Sequence, residues 1–298
     1  MSTGFRLRSR AGAAVAVAVC AVAAAVALTL LLSAGRTGGD GGGGTAAPPP
    51  PPTTTHLNVA GPAGLGGRWK LAFDDEFDTG RLDTSKWTSA WGRVSGVSQP
   101  VNGSELECYD SSQAAVSGGE LHLTVVQRDS DCGGTTRPYT SGIVTTDPEV
   151  LGAGRGFQFT HGVVEVRAYV PPGSGQCTNW PAIWTDGRNW PKDGEIDVYE
   201  CLSGKASWHL VSGSHGAEAN APGAYPPASA YTGWHTFAAD WEPGEVTFYY
   251  DGVNVGSHSY RPSSPNYVIL NNAVGAEGGQ ASAPADFRVD WVRVWQRP

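Results

Sequence analysis

The chain has 298 residues, of which 40% are hydrophobic, 10% aromatic and only 16% charged, and its 41 Gly and 21 Pro make up about a fifth of it. That composition excludes a coiled coil or a long-helix protein, which is rich in Ala, Glu, Lys and Leu at helical spacing. The formal charge is -8; residues 1–56 carry Arg6, Arg8, Arg10 and Arg36 against Asp40, a net +3, so the remainder carries -11, and an acidic body of that kind is a poor partner for nucleic acid.

From the N-terminus, three arginines precede Ala11–Leu32, 22 residues in which only Thr29 is polar. This is an export element. The apolar part of a signal peptide runs to roughly 7–15 residues and a membrane span to about 20, so residues 1–35 read as a signal peptide or membrane anchor. The length favours an uncleaved anchor, while Ser33 and Gly35 offer small residues to a peptidase. The basic flank stays in the cytoplasm, which puts everything after residue 36 outside the cell. Residues 36–56 contain Gly41–Gly44, Pro48–Pro52 and Thr53–Thr55. They cannot bury a core and read as a disordered linker, flexible in its first half and extended in its second. Residues 57–298 remain as the folded domain.

All eleven Trp lie in that domain, a load that suits stacking on flat ligand faces such as sugar rings. Its cysteines are Cys108, Cys132, Cys177 and Cys201, an even number with three connectivities. In an oxidising compartment two disulfides are expected. No Cys-x-x-Cys or His-x-x-x-His spacing supports a zinc site.

Short alternating runs bounded by Gly, Pro, Asn or Asp recur along the domain: Glu120–Gln127, Val163–Val170, Glu195–Cys201, Glu245–Tyr250, Tyr267–Leu270 and Phe287–Trp295. These are strand signals at sandwich-like intervals, with turns at Ser117-Gly118-Gly119 and Asp251-Gly252. No helical periodicity and no internal repeat occurs after residue 56. The pattern predicts one all-β domain, an antiparallel β-sandwich.

The most informative segment is Asp193-Gly194-Glu195-Ile196-Asp197-Val198-Tyr199-Glu200. In a strand Glu195 and Asp197 share the face opposite Ile196 and Val198. Strict alternation would send Glu200 to the other face; a bulge before it returns it to Glu195 and Asp197. Charged alternation ordinarily marks a solvated face. Here like charges crowd one strand face, which is destabilising, and Asn179-Trp180-Pro181-Ala182-Ile183-Trp184 with Trp190 nearby is aromatic. Two carboxyls at a set distance beside aromatic platforms are what glycoside hydrolysis uses, ~5 Å apart when the anomeric configuration is retained.

Glu-Ile-Asp-Val-Tyr-Glu at 195–200 resembles the signature of glycoside hydrolase family 16 in its bulged, laminarinase-like form. Asp74-Asp75-Glu76-Phe77, Ser104-Glu105-Leu106-Glu107, Tyr139-Thr140-Ser141-Gly142, Trp180-Pro181-Ala182, Trp234-His235-Thr236-Phe237 with Trp241, Phe248–Gly252, Ile269-Leu270-Asn271 and Val289–Val294 follow in the family's order. The resemblance covers residues 66–298. It implies a jelly roll whose concave sheet forms an open cleft, with Glu195 as nucleophile, Asp197 as assistant and Glu200 as acid/base. It makes Trp180, Trp184 and Trp190 candidate sugar platforms, and His209 and Asn271 candidate cleft residues; His235 also occupies a family position. Members often carry two histidines four apart after the catalytic strand, whereas His209 and His215 are six apart here. No cofactor is required by this chemistry. A structural calcium of the family's convex side would fall on Asp290, with Glu76 and Gly119 as backbone donors. Cys108 and Cys132 flank the hairpin at Gly118-Gly119, as a disulfide does in similar bacterial glucanases, which leaves Cys177 to Cys201.

The resemblance therefore implies a monomeric, endo-acting retaining hydrolase of a β-linked polysaccharide, β-1,3-glucan or mixed-linkage glucan first. A wall transglycosylase, a galactan-type hydrolase and a non-catalytic sugar-binding protein are the alternatives. The topology is open to test: protease added to intact cells should destroy the domain, with lysed cells as control, and a surviving full-length chain would refute export.

Overall fold

A computed structural model describes residues 60–92, 96–152, 154–170, 176–213, 223–225 and 233–298. The export segment, the linker and His215 lie outside the described residues. Among the described residues, no helix is long and apolar enough to cross a membrane.

Two sheets make a β-sandwich with the jelly-roll arrangement. In the larger, strands follow the order Val253–Tyr260, Gly244–Tyr250, Gly233–Glu242, Gly162–Val170, Ala285–Gln296, Glu120–Cys132, Thr135–Ser141, Glu107–Asp110 and Val97–Ser98. Lys70–Asp75 adds to Ala285–Gln296, and Ala114–Ser117 to Glu120–Cys132. The smaller sheet runs Gly223–Ala224, Lys205–Val211, Glu195–Leu202, Trp180–Gly187, Asn266–Ala273 and Ile143–Thr145. Every pairing is antiparallel except Glu107–Asp110 with Thr135–Ser141. The helical elements are one turn each, Ser111–Gln113 and Pro148–Leu151.

All six strands expected from alternation are present, each extended by one or more residues beyond the alternating run. Alternation also explains the core. Ile183, Ile196, Val198, Leu210, Val268 and Leu270 of the smaller sheet meet Leu121, Leu123, Val166, Phe237, Phe248, Phe287 and Val292 of the larger, all buried. Residues of the opposite parity in the smaller sheet leave the core and form the floor of the cleft. Both expected turns carry left-handed residues, Gly118 and Gly119 in one and Asp251 and Gly252 in the other, as tight hairpins require.

The central strand Trp180–Gly187 has no alternation to read, because it is buried along its whole length. It lies between Glu195–Leu202 and Asn266–Ala273 and contains Pro181, a residue that sequence rules place at edges. Its position beside strand Glu195–Leu202 is therefore set by tertiary packing.

Both disulfides are formed, Cys108–Cys132 and Cys177–Cys201, each with a sequence separation of 24. The second ties the end of strand Glu195–Leu202 to the segment preceding Trp180. Replacing Cys177 and Cys201 together by Ser should lower unfolding free energy by about 3 kcal/mol in the loop-entropy picture, read as a lower denaturant midpoint at unchanged slope.

Candidate active site

Gly194 opens strand Glu195–Leu202 in a left-handed conformation (φ +90°), and a Cβ there would lie 2.0 Å from Tyr260 Oη. Only glycine fits, so the strand enters the sheet at a fixed point. From there Glu195 and Asp197 pair with Asp186 and Trp184 on one side and with Val211 and His209 on the other. The register then slips on both sides, between Asp197 and Tyr199 and between Asp197 and Glu200. This is the expected bulge. Val198 and Tyr199 both turn into the core, and Glu200 returns to the cleft face. A bulge leaves backbone groups out of the ladder; here the Tyr225 hydroxyl donates to the Val198 carbonyl. Tyr199 packs on Phe237 at 4.6 Å between ring centroids.

The cleft on this face is lined by Glu195, Asp197, Glu200, Trp180, Ala182, Trp184, Asn271 and Ala273 from the sheet, with Val101, Asn102 and Glu105 from the approach to strand Glu107–Asp110. Each glutamate is held by an indole N–H: Trp180 Nε1 donates to Glu200 Oε1 at 2.8 Å, and Trp190 Nε1 donates to Glu195 Oε2. His209 Nδ1 lies 3.1 Å from Asp197 Oδ2 and 3.8 Å from Glu200 Oε2. Glu200 Oε2 is buried without a hydrogen bond.

Burial, and next the charge of Asp197, push Glu195 well above the usual carboxylate range, against the Trp190 bond. Burial and then Glu200 push Asp197 well up. Burial raises Glu200, opposed by Trp180 and His209. Three acids so close cannot all ionise; one can be a carboxylate while its neighbours keep protons. Asp186, opposite Glu195, is pushed up to about 8 by burial and by Glu195.

Trp184 does not stand alone. Its Nε1 donates to Asn271 Oδ1 at 2.8 Å, which orients that amide, and Asn271 Nδ2 donates to Tyr109 Oη at 2.9 Å. Glu107, in the same strand as Tyr109, and Glu105, just before that strand, lie close to that tyrosine. Glu107 is fully buried and raised well above its ordinary value by burial and by Glu105. Glu105 is itself raised by burial.

The sequence-derived residues therefore divide. Glu195, Asp197, Glu200, Trp180, Trp184 and Asn271 line one cleft, and His209 reaches its acids. Trp190 is 55% exposed on the turn above Glu195, outside the cleft wall. His235 belongs to the other sheet, where its Nδ1 bonds Asp251 and Tyr250. Sequence reasoning missed Asn102, Glu105, Tyr109, Asp186 and Trp91, whose ring lies 5.7 Å from that of Trp184. The alternating acids Glu105 and Glu107 repeat the pattern of Glu195 and Asp197 and were the available signal.

The chain belongs to glycoside hydrolase family 16. A family model described as "XgeA-like, catalytic GH16 domain" matches residues 157–219. The Rhodothermus marinus β-glucanase is 30% identical over 269 residues, covering 76% of this chain and 85% of its own. A glucan endo-1,3-β-glucosidase of Cryptopygus antarcticus is 27% identical, covering 77% and 93%. The laminarinase catalytic domain of Thermotoga maritima superposes with a TM-score of 0.64 at 26% identity, covering 77% of this chain and 99% of that one. The chain is thus a glycosyl hydrolase on the family's fold.

The family's calcium position fits poorly here. Asp75 pairs with Val292 and Val289 with Leu121, which brings the Glu76 and Gly119 backbones toward Asp290 at the middle of strand Ala285–Gln296. The Asp290 carboxylate, however, already faces Arg167 Nη1 at 2.5 Å, and the Glu76 carboxylate takes Arg293. A guanidinium occupies the charge that a dication needs. Asp197, Glu200 and His209 have ligand atoms within 4.8 Å of one another, but burial raises both carboxyls and so disfavours the ionised form that a metal needs.

The raised Glu200 fixes a sign. Its folded-state pKa lies above the unfolded value, so its stabilising share is complete below the unfolded pKa and lost as pH rises through the folded one. Glu200→Gln does not titrate. As pH rises from below the unfolded pKa through the raised folded one, the variant should therefore gain stability relative to wild type, measured as the pH dependence of the difference in Tm; a constant difference refutes the shift.

Proposed function

We propose that this enzyme is an extracellular, endo-acting β-1,3-glucanase working with retention of anomeric configuration, without a metal in the reaction. The observation that supports it best is the bulge, which brings Glu200 back beside Glu195 and Asp197 in one cleft. The names of the related enzymes support the choice of glucan, and the arginine-rich export segment supports the location.

In the first step Glu195, as carboxylate, attacks the anomeric carbon while Glu200 gives its proton to the departing glycosidic oxygen. The C–O bond to the leaving sugar breaks and an ester to Glu195 forms. In the second step Glu200, now ionised, takes a proton from water; the hydroxide attacks the same carbon, Glu195 leaves, and both groups are restored. The Trp190 N–H steadies the ionised Glu195, and the Trp180 N–H orients Glu200. Asp197 sits between them with His209, where it keeps the proton available to Glu200 and turns Glu195 toward the sugar. Trp180, Trp184 and exposed Trp190 offer ring faces to sugars, and Asn271 holds Trp184 in place.

Incubating the protein with laminarin, lichenan, agarose and β-1,3-galactan should release oligosaccharides from laminarin first. Glu200→Ala should lose roughly 10²–10⁴-fold on polysaccharide yet form the glycosyl-enzyme from an aryl glycoside with an acidic phenol. Added azide should then give a β-glycosyl azide, whereas Glu195→Ala with azide should give the α product. Reversed stereochemistry would exchange the two roles, and wild-type polysaccharide activity in either variant would remove that residue from the mechanism.

A further inference from the structure

A recess of about 290 Å³ adjoins the catalytic cleft and shares Val101 and Asn102 with it. Gln99, Thr135 and Arg137 complete its polar wall. The Gln99 amide packs over Gly133, where a Cβ would lie 1.7 Å from Gln99 Nε2, so the absence of a side chain there is what admits it.

Arg137 carries the argument. Elsewhere on the larger sheet arginines are neutralised by carboxylates: Arg128 by Asp110, Arg167 by Asp290, Arg288 by Glu120 and Arg297 by Asp240. Arg137 has no such partner among the described residues. Its Nη1 donates to the Glu105 backbone carbonyl, which fixes the plane of the guanidinium, and its Nε is buried with no acceptor. The acids nearest in sequence and space are engaged elsewhere. Glu105 directs its oxygens to the Val101 N–H at 2.9 Å and the Asn102 amide at 3.0 Å, and Asp131 takes the Gly134 N–H at 3.2 Å. A guanidinium is always charged, and a partly buried cation without a counter-charge destabilises the fold unless a ligand supplies the charge. Planar N–H forks match the oxygens of a carboxylate or a sulfate.

We propose that this recess is a substrate subsite for an anionic group, a carboxylate or a sulfate ester, on a sugar of the polysaccharide lying in the cleft. The inference rests on the cleft being a glucan hydrolase site. It makes the enzyme selective for substituted glucan, with Arg137 as the specificity-determining residue. Asn102 and Val101, common to both spaces, would carry the chain from one to the other.

The test uses the full-length protein with three substrates of one backbone: laminarin, carboxymethyl laminarin and sulfated laminarin. The readout is the ratio of kcat/KM on each substituted substrate to that on laminarin. Wild type should prefer at least one anionic form, and the more preferred identifies the group. Arg137→Gln should lower that ratio about tenfold, within the range of a charge-assisted hydrogen bond, and Arg137→Lys should retain most of it. Added salt should shrink the wild-type preference. A ratio unchanged in Arg137→Gln, or a wild type with no preference, overturns the proposal. Calorimetric binding of carboxymethylated and neutral laminari-oligosaccharides to wild type keeps the test independent of turnover and of variant folding. If no glucan is cleaved, the hydrolase reading fails while tighter, salt-sensitive binding of the anionic oligosaccharide still supports the subsite; equal binding overturns it.

Discussion

In strand Glu195–Leu202 the requirement that side chains alternate between two faces is suspended for one residue, and the cleft chemistry depends on that suspension. With strict alternation Glu200 would enter a core made of Val198, Phe237 and Phe287, where an unpaired carboxyl is costly. The inserted residue turns both Val198 and Tyr199 inward. Tyr199 stacks against aromatic rings from the larger sheet, and the Tyr225 hydroxyl takes up the Val198 carbonyl. The bulge is therefore held from the core side by aromatic packing, and the disulfide at Cys201 anchors the strand just beyond it. The third acid of the cleft depends on hydrophobic contacts that it does not itself touch.

Electrostatics divide the molecule in the same way. On the larger sheet, the carboxylates of Asp110, Glu120, Asp240 and Asp290 meet guanidinium groups. At the cleft, Glu195, Asp197, Glu200 and Glu105 line the wall beside Trp180 and Trp184, with Asp186 paired opposite Glu195 and Glu107 close behind Glu105, and His209 is the one cationic candidate among the described residues at Asp197 and Glu200. They are hydrogen-bonded chiefly by neutral donors such as indole N–H, amide N–H and hydroxyl groups. Such donors orient a carboxyl without fixing it as an anion. The result is a cluster whose carboxyls are all raised above their ordinary range, the direction that a reaction alternating between acid and base steps at one residue needs.

Direction within this network follows from donor chemistry. An indole N–H can only donate, so Trp184 makes Asn271 present its oxygen, and Asn271 must then present its amide to Tyr109. The orientation of a cleft-wall tryptophan is thus set by buried groups on a strand of the other sheet. Arg137 belongs to the same neighbourhood through its bond to the Glu105 carbonyl, which links the recess to the loop that closes one side of the cleft.

Much of this was legible in the sequence where alternation is strict and chemistry is concentrated. Six strands, four of the larger sheet and two of the smaller, the two hairpin turns, the all-β class and the three acids at 195, 197 and 200 follow from period-two patterning and from the improbability of placing like charges on one face without use. Strand Trp180–Gly187 was not legible as a strand, because a segment buried on both faces shows no period. Nor could local pattern distinguish Trp180 and Trp184, which form the cleft wall, from Trp190, which stands exposed on a turn while reaching Glu195 with its N–H. Glu105, Tyr109, Asp186 and the unpaired charge of Arg137 acquire meaning only from neighbours distant in the chain. Alternation is a property of one strand and can be read along it; partnership, burial and the sharing of protons are properties of several strands at once, and only their assembly into two packed sheets decided them.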